Sequence, residues 1–200
     1  MTKEQFYEIN QRLEKWRKQR HLTKDKQRLG YLGNVYEEVS EYYRAKDEYE
    51  KIDAIMDITV FTLNSFYIDY DEYVESDKSL VVTQIEQIID RINKNGLISM
   101  DYEYVLIREL ELLTNNFGFD FYNCMIETIN EIDSRNGYYD PTINKFIKYQ
   151  GAYDLKNAKK HFLLSYKYKE DNEYWYFLTL RGRKKIKKWY KADYSKYKRD

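Results

Sequence analysis

The first 140 residues contain no proline, and the whole chain of 200 has only Pro141 and seven glycines. A chain so short of breakers can run long helices without the lost hydrogen bond and ring clash that proline imposes. Its apolar residues recur three and four apart, which is the helical period. Phe6, Ile9, Leu13 and Trp16 mark a first helix over about Lys3–His21. "LTKDK" interrupts it, with Thr23 or Asp25 as the next N-cap. A second helix is predicted over about Gln27–Arg44, with Leu29, Leu32, Val35 or Tyr36, Val39 and Tyr42 or Tyr43 inward, and a third over about Glu50–Tyr67. "DYDEYVESDKS" reads as an acidic loop, Leu80–Asn93 as a fourth helix, Asp101–Asn115 as a fifth, and Asp120–Arg135 as a sixth capped by Asp120. "NGYYDP" has turn chemistry, and "TINKFIKY" reads as a short helix.

The texture then changes. "HFLLSYKYKEDNEYWYFLTLRG" holds two runs rich in aromatic residues and leucine around the polar turn "KEDNE", the pattern of a β-hairpin. A helix over "LKNAKKHFLLSYK" is the competing reading, and "RKKIKKWYKADYSKYKRD" reads as a basic helix or tail. The predicted fold is all-α: an antiparallel helical bundle over residues 1–150, with a small C-terminal extension of hairpin and basic tail over residues 151–200.

Lone Cys124 forms no disulfide within the chain and points to a reducing, cytoplasmic setting. No apolar run approaches the roughly 18–20 residues of a membrane span, and "MTKEQFYEINQRLEK" lacks the apolar centre of a signal peptide. The net charge of zero hides an asymmetry. Residues 1–141 hold 17 Lys and Arg against 28 Asp and Glu, and residues 142–200 hold 17 against 6. The basic end suits either an internal charge match or a polyanion such as a nucleotide or nucleic acid.

The acids with the sharpest pattern lie between Asn34 and Asn64. Glu37, Glu38 and Glu41 are three and four apart on the second helix and so share a face. On the third helix, Glu50, Asp53, Asp57 and Asn64 fall within about 60° of arc at 100° per residue. That helix is apolar nearly all round, which turns the polar stripe inward. A short link makes the two helices antiparallel neighbours, so their acids can converge. Several ionised carboxylates in a partly dry site repel one another. A hard divalent cation relieves this, and an all-oxygen set without His or Cys suits Mg²⁺, with Mn²⁺ as substitute. Lys46, Lys51 or Arg44 are the alternative partners, in a purely structural ion pair. A di-iron bundle site needs Glu-x-x-His, and neither His21 nor His161 follows a Glu at that spacing.

"EEVSE", a spacer and "DAIMDITVFTLN" resemble the MazG-like family of all-α nucleoside triphosphate pyrophosphohydrolases, whose signature is EExxE followed by ExxD and an apolar tail ending in Asn. "EKWRKQRHL", "QRLGYLGNVYEE" and "GFDFYNCMIETINEIDSRNGYYDPTINKFIKY" are similar to small phage-type members, so the resemblance covers most of residues 10–150. It implies metal binding by Glu38, Glu41 and Asp57. The family's other motif glutamate falls on Ala54, a departure that makes Asp53 the substitute and Glu50 the second candidate. The implied activity is Mg²⁺-dependent hydrolysis of a (deoxy)nucleoside triphosphate to the monophosphate and pyrophosphate, by a homodimer or higher homo-oligomer. Glu37 or Glu38 serves as base for the attacking water. Ser134, Arg135, Lys145 and Lys148 are the expected phosphate-side residues, ahead of Lys24, Lys26 and Arg28. Trp16 and Asn64 are the expected base-side ones. A dUTPase-like enzyme, a nucleic-acid-binding module using the basic C-terminal region, and a non-catalytic helical scaffold are the competing expectations.

Overall fold

The computed structural model describes residues 1–75, 84–95, 103–143, 145–162 and 167–199. Among them it contains eight α-helices: α1 (Lys3–Gln19), α2 (Lys24–Arg44), α3 (Glu48–Ser65), α4 (Tyr70–Glu75), α5 (Ile85–Asn95), α6 (Glu103–Asn116), α7 (Phe121–Ser134) and α8 (Leu155–Lys160). It also contains six strands: β1 (Gly137–Asp140), β2 (Lys145–Lys148), β3 (Gly151–Ala152), β4 (Lys167–Glu170), β5 (Tyr174–Thr179) and β6 (Gly182–Lys188). The fold is mixed α and β, which corrects the all-α expectation. Two compact units divide the chain: Met1–Ile129 with Asp193–Asp200, and Asn130–Ala192. The predicted boundary at residue 150 lies inside the second.

Helix α3 is the centre of the first unit. Eleven of its eighteen residues are buried, including Ile52, Ile55, Met56, Ile58 and Leu63. Helix α1 presents Phe6, Ile9 and Leu13 to the core, and α6 presents Leu106, Ile107, Leu110 and Leu113. Buried polar groups on α3 are satisfied at short range. The Thr59 hydroxyl donates to the Ile55 carbonyl at 2.9 Å and that of Thr62 to the Ile58 carbonyl at 2.8 Å. Both ends of the helix are answered by opposite charge, as the helix dipole favours. Asp47 caps the N-terminus by accepting the Glu50 N–H at 2.9 Å. At the C-terminus the Lys24 ammonium donates to the carbonyls of Leu63 (2.6 Å) and Phe66, and Arg28 donates to that of Ser65 at 3.2 Å. Lys24, Lys26 and Arg28 stand in the first turns of α2, and two of these three candidate phosphate-side cations are thus engaged with the end of α3.

Thr23 is the N-cap of α2, accepting from the Lys26 N–H, and Asp120 accepts from the Asn123 N–H at the start of α7. On α2 the buried stripe runs through Tyr31, Val35 and Tyr42. Leu29, expected inward, is 90% exposed. It sits about 160° round the helix from Tyr31 at 100° per residue. Part of the expected acidic loop is helical, as α4, where the buried Tyr73 hydroxyl donates to Glu111. Of the fourth predicted helix, residues 80–83 lie outside the described ones.

In the second unit, β4 and β5 form the expected hairpin, with Tyr168 opposite Phe177 and Glu170 opposite Trp175. The neighbouring segments depart from expectation. "RKKIKK" is not a helix or tail but β6, antiparallel to β5, and β3 adds in parallel to complete a sheet ordered β3-β6-β5-β4. Trp175, Phe177 and Ile186 alternate onto one face and are covered by Ala152, Ala158, Leu155 and Phe162. Since Ile186 is the one apolar residue in a run of cations, its period of two is invisible before pairing. "NGYYDP" and "TINKFIKY" supply β1 and β2, an antiparallel pair in place of the predicted turn and short helix. The competing helix reading holds over Leu155–Lys160, which is α8.

Gly137 is required by this pairing. A Cβ there meets the Ile147 carbonyl oxygen at 2.0 Å and the Lys148 Cα at 2.8 Å. Gly137→Ala is therefore expected to strip hydrogen-exchange protection from the Tyr149 amide, which donates to the Asn136 carbonyl, while α3 amides keep theirs. Unchanged protection at Tyr149 would contradict the packing described.

Candidate functional site

Acids of α2 and α3 come within electrostatic reach of one another because of where Glu38 falls in the helical period. Tyr31, Val35, Glu38 and Tyr42 are spaced four, three and four apart, so Glu38 stands on the buried stripe of α2. Its side chain is half-buried against α3, the helix with which α2 makes its main packing contact. Burial pushes its carboxyl up to about 7, and the negative charges of Glu41, Asp53 and Glu37 push in the same direction. Glu37, Glu41 and Asp53 are exposed, and Asp57 is half-buried one turn beyond Asp53. Glu50 is turned away to the helix start, where it accepts the Lys46 N–H at 2.7 Å.

The acid cluster has a neighbour that no local pattern announces. After β6 the chain enters the first unit again and makes a 3₁₀ turn at Tyr194–Tyr197. The buried Tyr194 hydroxyl lies 2.7 Å from Asp53 Oδ1, to which it donates, and 2.9 Å from the Thr128 hydroxyl. Burial and the charges of Asp53 and Asp57 hold its phenol well above the usual range. Further contacts fix the segment. Glu127 accepts from the Asp193 N–H and the Tyr197 hydroxyl, Lys198 pairs with Glu48, and Arg199 pairs with Asp120 at 3.1 Å.

Asn64 is 1% exposed, and its side-chain oxygen accepts a hydrogen bond from Arg17 at 2.6 Å. Arg17 was not foreseen, yet a signal exists: it continues the Phe6, Ile9, Leu13 stripe at i+4. A cavity of about 390 Å³ near this pair is lined by Asn10, Glu14, Arg17, Lys18, Lys24 and Tyr67, among others. Trp16 is half-buried under the Arg20 guanidinium, 4.3 Å from its ring centroid. The four expected phosphate-side residues all belong to the second unit. There Ser134 Oγ donates to the Glu131 carbonyl at 2.7 Å and accepts from the Tyr190 N–H at 2.9 Å. Arg135 pairs with Glu131 and lies over the Tyr153 ring. Lys145 and Lys148 are exposed and, three apart on β2, face opposite sides.

Among the described residues, no three Asp, Glu, His or Cys side chains are gathered so that they could hold a metal ion by themselves. Mg²⁺ asks less of a protein than such a cluster supplies. That ion commonly takes one or two carboxylates, keeps several waters and completes its shell with substrate phosphates. No described helix is long and apolar enough to cross a membrane. Comparison with protein families, curated proteins and solved structures found no match to this chain.

Two expectations follow from the geometry. Glu38 ionises near its ordinary 4.5 when unfolded and near 7 when folded. Between those values the folded state holds a proton that the unfolded state has lost, so this group's contribution falls as pH rises through the window. Thermal unfolding from pH 4.5 to 8 should show wild type losing stability relative to Glu38→Gln as pH rises, with a level difference above about 7. Parallel pH profiles would refute the assignment. Asn64→Ala, which leaves the Arg17 guanidinium buried without its acceptor, should cost about 2–3 kcal/mol in denaturant unfolding. A cost near zero would instead leave Asn64 free for a ligand.

Proposed function

We propose that this chain is a Mg²⁺-dependent nucleoside triphosphate pyrophosphohydrolase of the MazG-like kind, with its site on α2 and α3. The observation that carries the reading is the half-burial of Glu38 within reach of the charges of Glu41, Asp53 and Glu37, which together raise its proton affinity. Cleavage between the α and β phosphates needs charge neutralisation and positioning more than covalent help. The four acids set up a negative field that draws a cation, and the buried wall behind them strengthens it. Glu38, half-buried among them, is the group placed to accept a proton from an attacking water. Tyr194 keeps Asp53 in one orientation by donating to Oδ1. Asp57, one turn on, supplies the second α3 carboxylate. A bound Mg²⁺ supplies neutralisation of the phosphate oxygens and acidifies water in its shell.

The test is pyrophosphate release from the common nucleoside and deoxynucleoside triphosphates, with Mg²⁺, with Mn²⁺ and with chelator. Wild type is compared with Glu38→Gln, Glu41→Gln and Asp57→Asn, each shown to be folded by its melting curve. Expected are release only with the divalent ion and a loss of about 100-fold or more in Glu38→Gln, the lower range for removing a general base. No pyrophosphate from any substrate, or full turnover in all three variants, would overturn the proposal.

A further inference from the structure

The second unit presents a different chemistry. Residues 130–192 hold 15 Lys and Arg against seven Asp and Glu, a net +8, whereas the rest of the chain carries −8. Strand register sorts those cations. Opposite residues of an antiparallel pair share a face. Lys169, Tyr176 and Lys185 therefore lie in one row across β4, β5 and β6, beside the row of Lys167, Leu178 and Arg183. Tyr174 and Lys187 extend the same face along β5 and β6. It is the face opposite the one that buries Trp175, Phe177 and Ile186.

Five cations and two tyrosine rings thus share one surface, and no Asp or Glu stands at its paired positions in β4, β5 or β6. Lys167, Lys169, Arg183 and Lys185 are exposed, as is Leu178 at 41%. The Tyr174 and Tyr176 rings lie 6.1 Å apart along β5, with Lys185 4.4 Å from the first centroid and Arg183 5.1 Å from the second. At one end Asp171 accepts the Tyr176 hydroxyl and the N–H groups of Glu173 and Tyr174, so its carboxylate is engaged in the turn.

We infer that this sheet face binds single-stranded nucleic acid. The cations match a phosphate backbone, and rings two residues apart on a strand offer stacking platforms for unpaired bases. In a duplex the base faces are stacked within the helix and cannot reach such rings, which favours a single strand as occupant.

Fluorescence anisotropy with labelled 20-nucleotide single-stranded DNA, the same RNA sequence and the matching DNA duplex tests it on the full chain. Wild type should bind the single strands more tightly than the duplex, the DNA and RNA arms showing which sugar is preferred. The slope of log affinity against log salt should be about −3, since each phosphate engaged on a single strand contributes about −0.7. Arg183→Gln with Lys185→Gln should weaken binding at least tenfold. Lys184→Gln, on the opposite face of β6, should change it less than twofold. Tyr174→Leu with Tyr176→Leu should weaken single-strand binding at least fivefold and leave the duplex value unchanged. Each variant is first shown to melt as wild type does, and Lys169→Gln, at an exposed strand position, replaces any that does not. No binding at low salt, equal affinity for duplex and single strand, or an equal effect of Lys184→Gln would overturn the inference.

Discussion

Helix α3 is exposed only over its first turn and at Asp53, so the polar groups on its buried side must be answered by neighbours, and the first unit is organised around those answers. The threonines return their hydroxyls to the preceding turn. The C-terminal carbonyls take Lys24 and Arg28. Asn64 takes Arg17, and Asp53 takes Tyr194. Left unpaired, a buried group among these, such as Asn64, would cost on the order of 1–3 kcal/mol or more. The same pressure fixes α1, α2 and the C-terminal segment against the helix, since each supplies a partner that α3 lacks.

Glu38 is the exception to this pattern of pairing. Burial displaces its carboxyl to about 7, and its surroundings add like charge rather than the opposite charge that would bring it back. A helix stripe that carries Tyr31, Val35 and Tyr42 would pack better with an apolar residue at this position. Groups displaced by burial and by charge of the same sign cluster at functional sites. That is the physical ground for treating the face as a place where a cation and a phosphate are received.

Much of the helical unit was legible in the sequence. The apolar spacing of Phe6, Ile9 and Leu13 follows from the period of 3.6 residues, and the caps at Thr23, one of two candidates there, and Asp120 follow from the chemistry of helix starts. The acid stripe on α3, expected to turn inward, instead leaves Glu50 and Asp53 exposed. Other features were not legible, for identifiable reasons. Leu29 fits the second helix's apolar count but lies on its outer side. Strand β6 hides its alternation because only Ile186 is apolar, and β1 depends on Gly137, whose close approach to Ile147 appears only when the strands pair. Tyr194 reaches Asp53 across 141 positions, a contact that no local pattern encodes. The phosphate-side set of Ser134, Arg135, Lys145 and Lys148 reads as a group in sequence, yet two members serve Glu131 and the other two face opposite sides of a strand.

The central claim is that the carboxylates on α2 and α3 crowd one another until a divalent ion relieves them. Carbon-13 NMR of the Glu38 carboxyl, titrated with and without Mg²⁺, tests it most directly. The account predicts a midpoint near 7 in the free protein that moves to lower pH when the ion binds. A midpoint at the ordinary 4.5, or one that Mg²⁺ leaves in place, would contradict it.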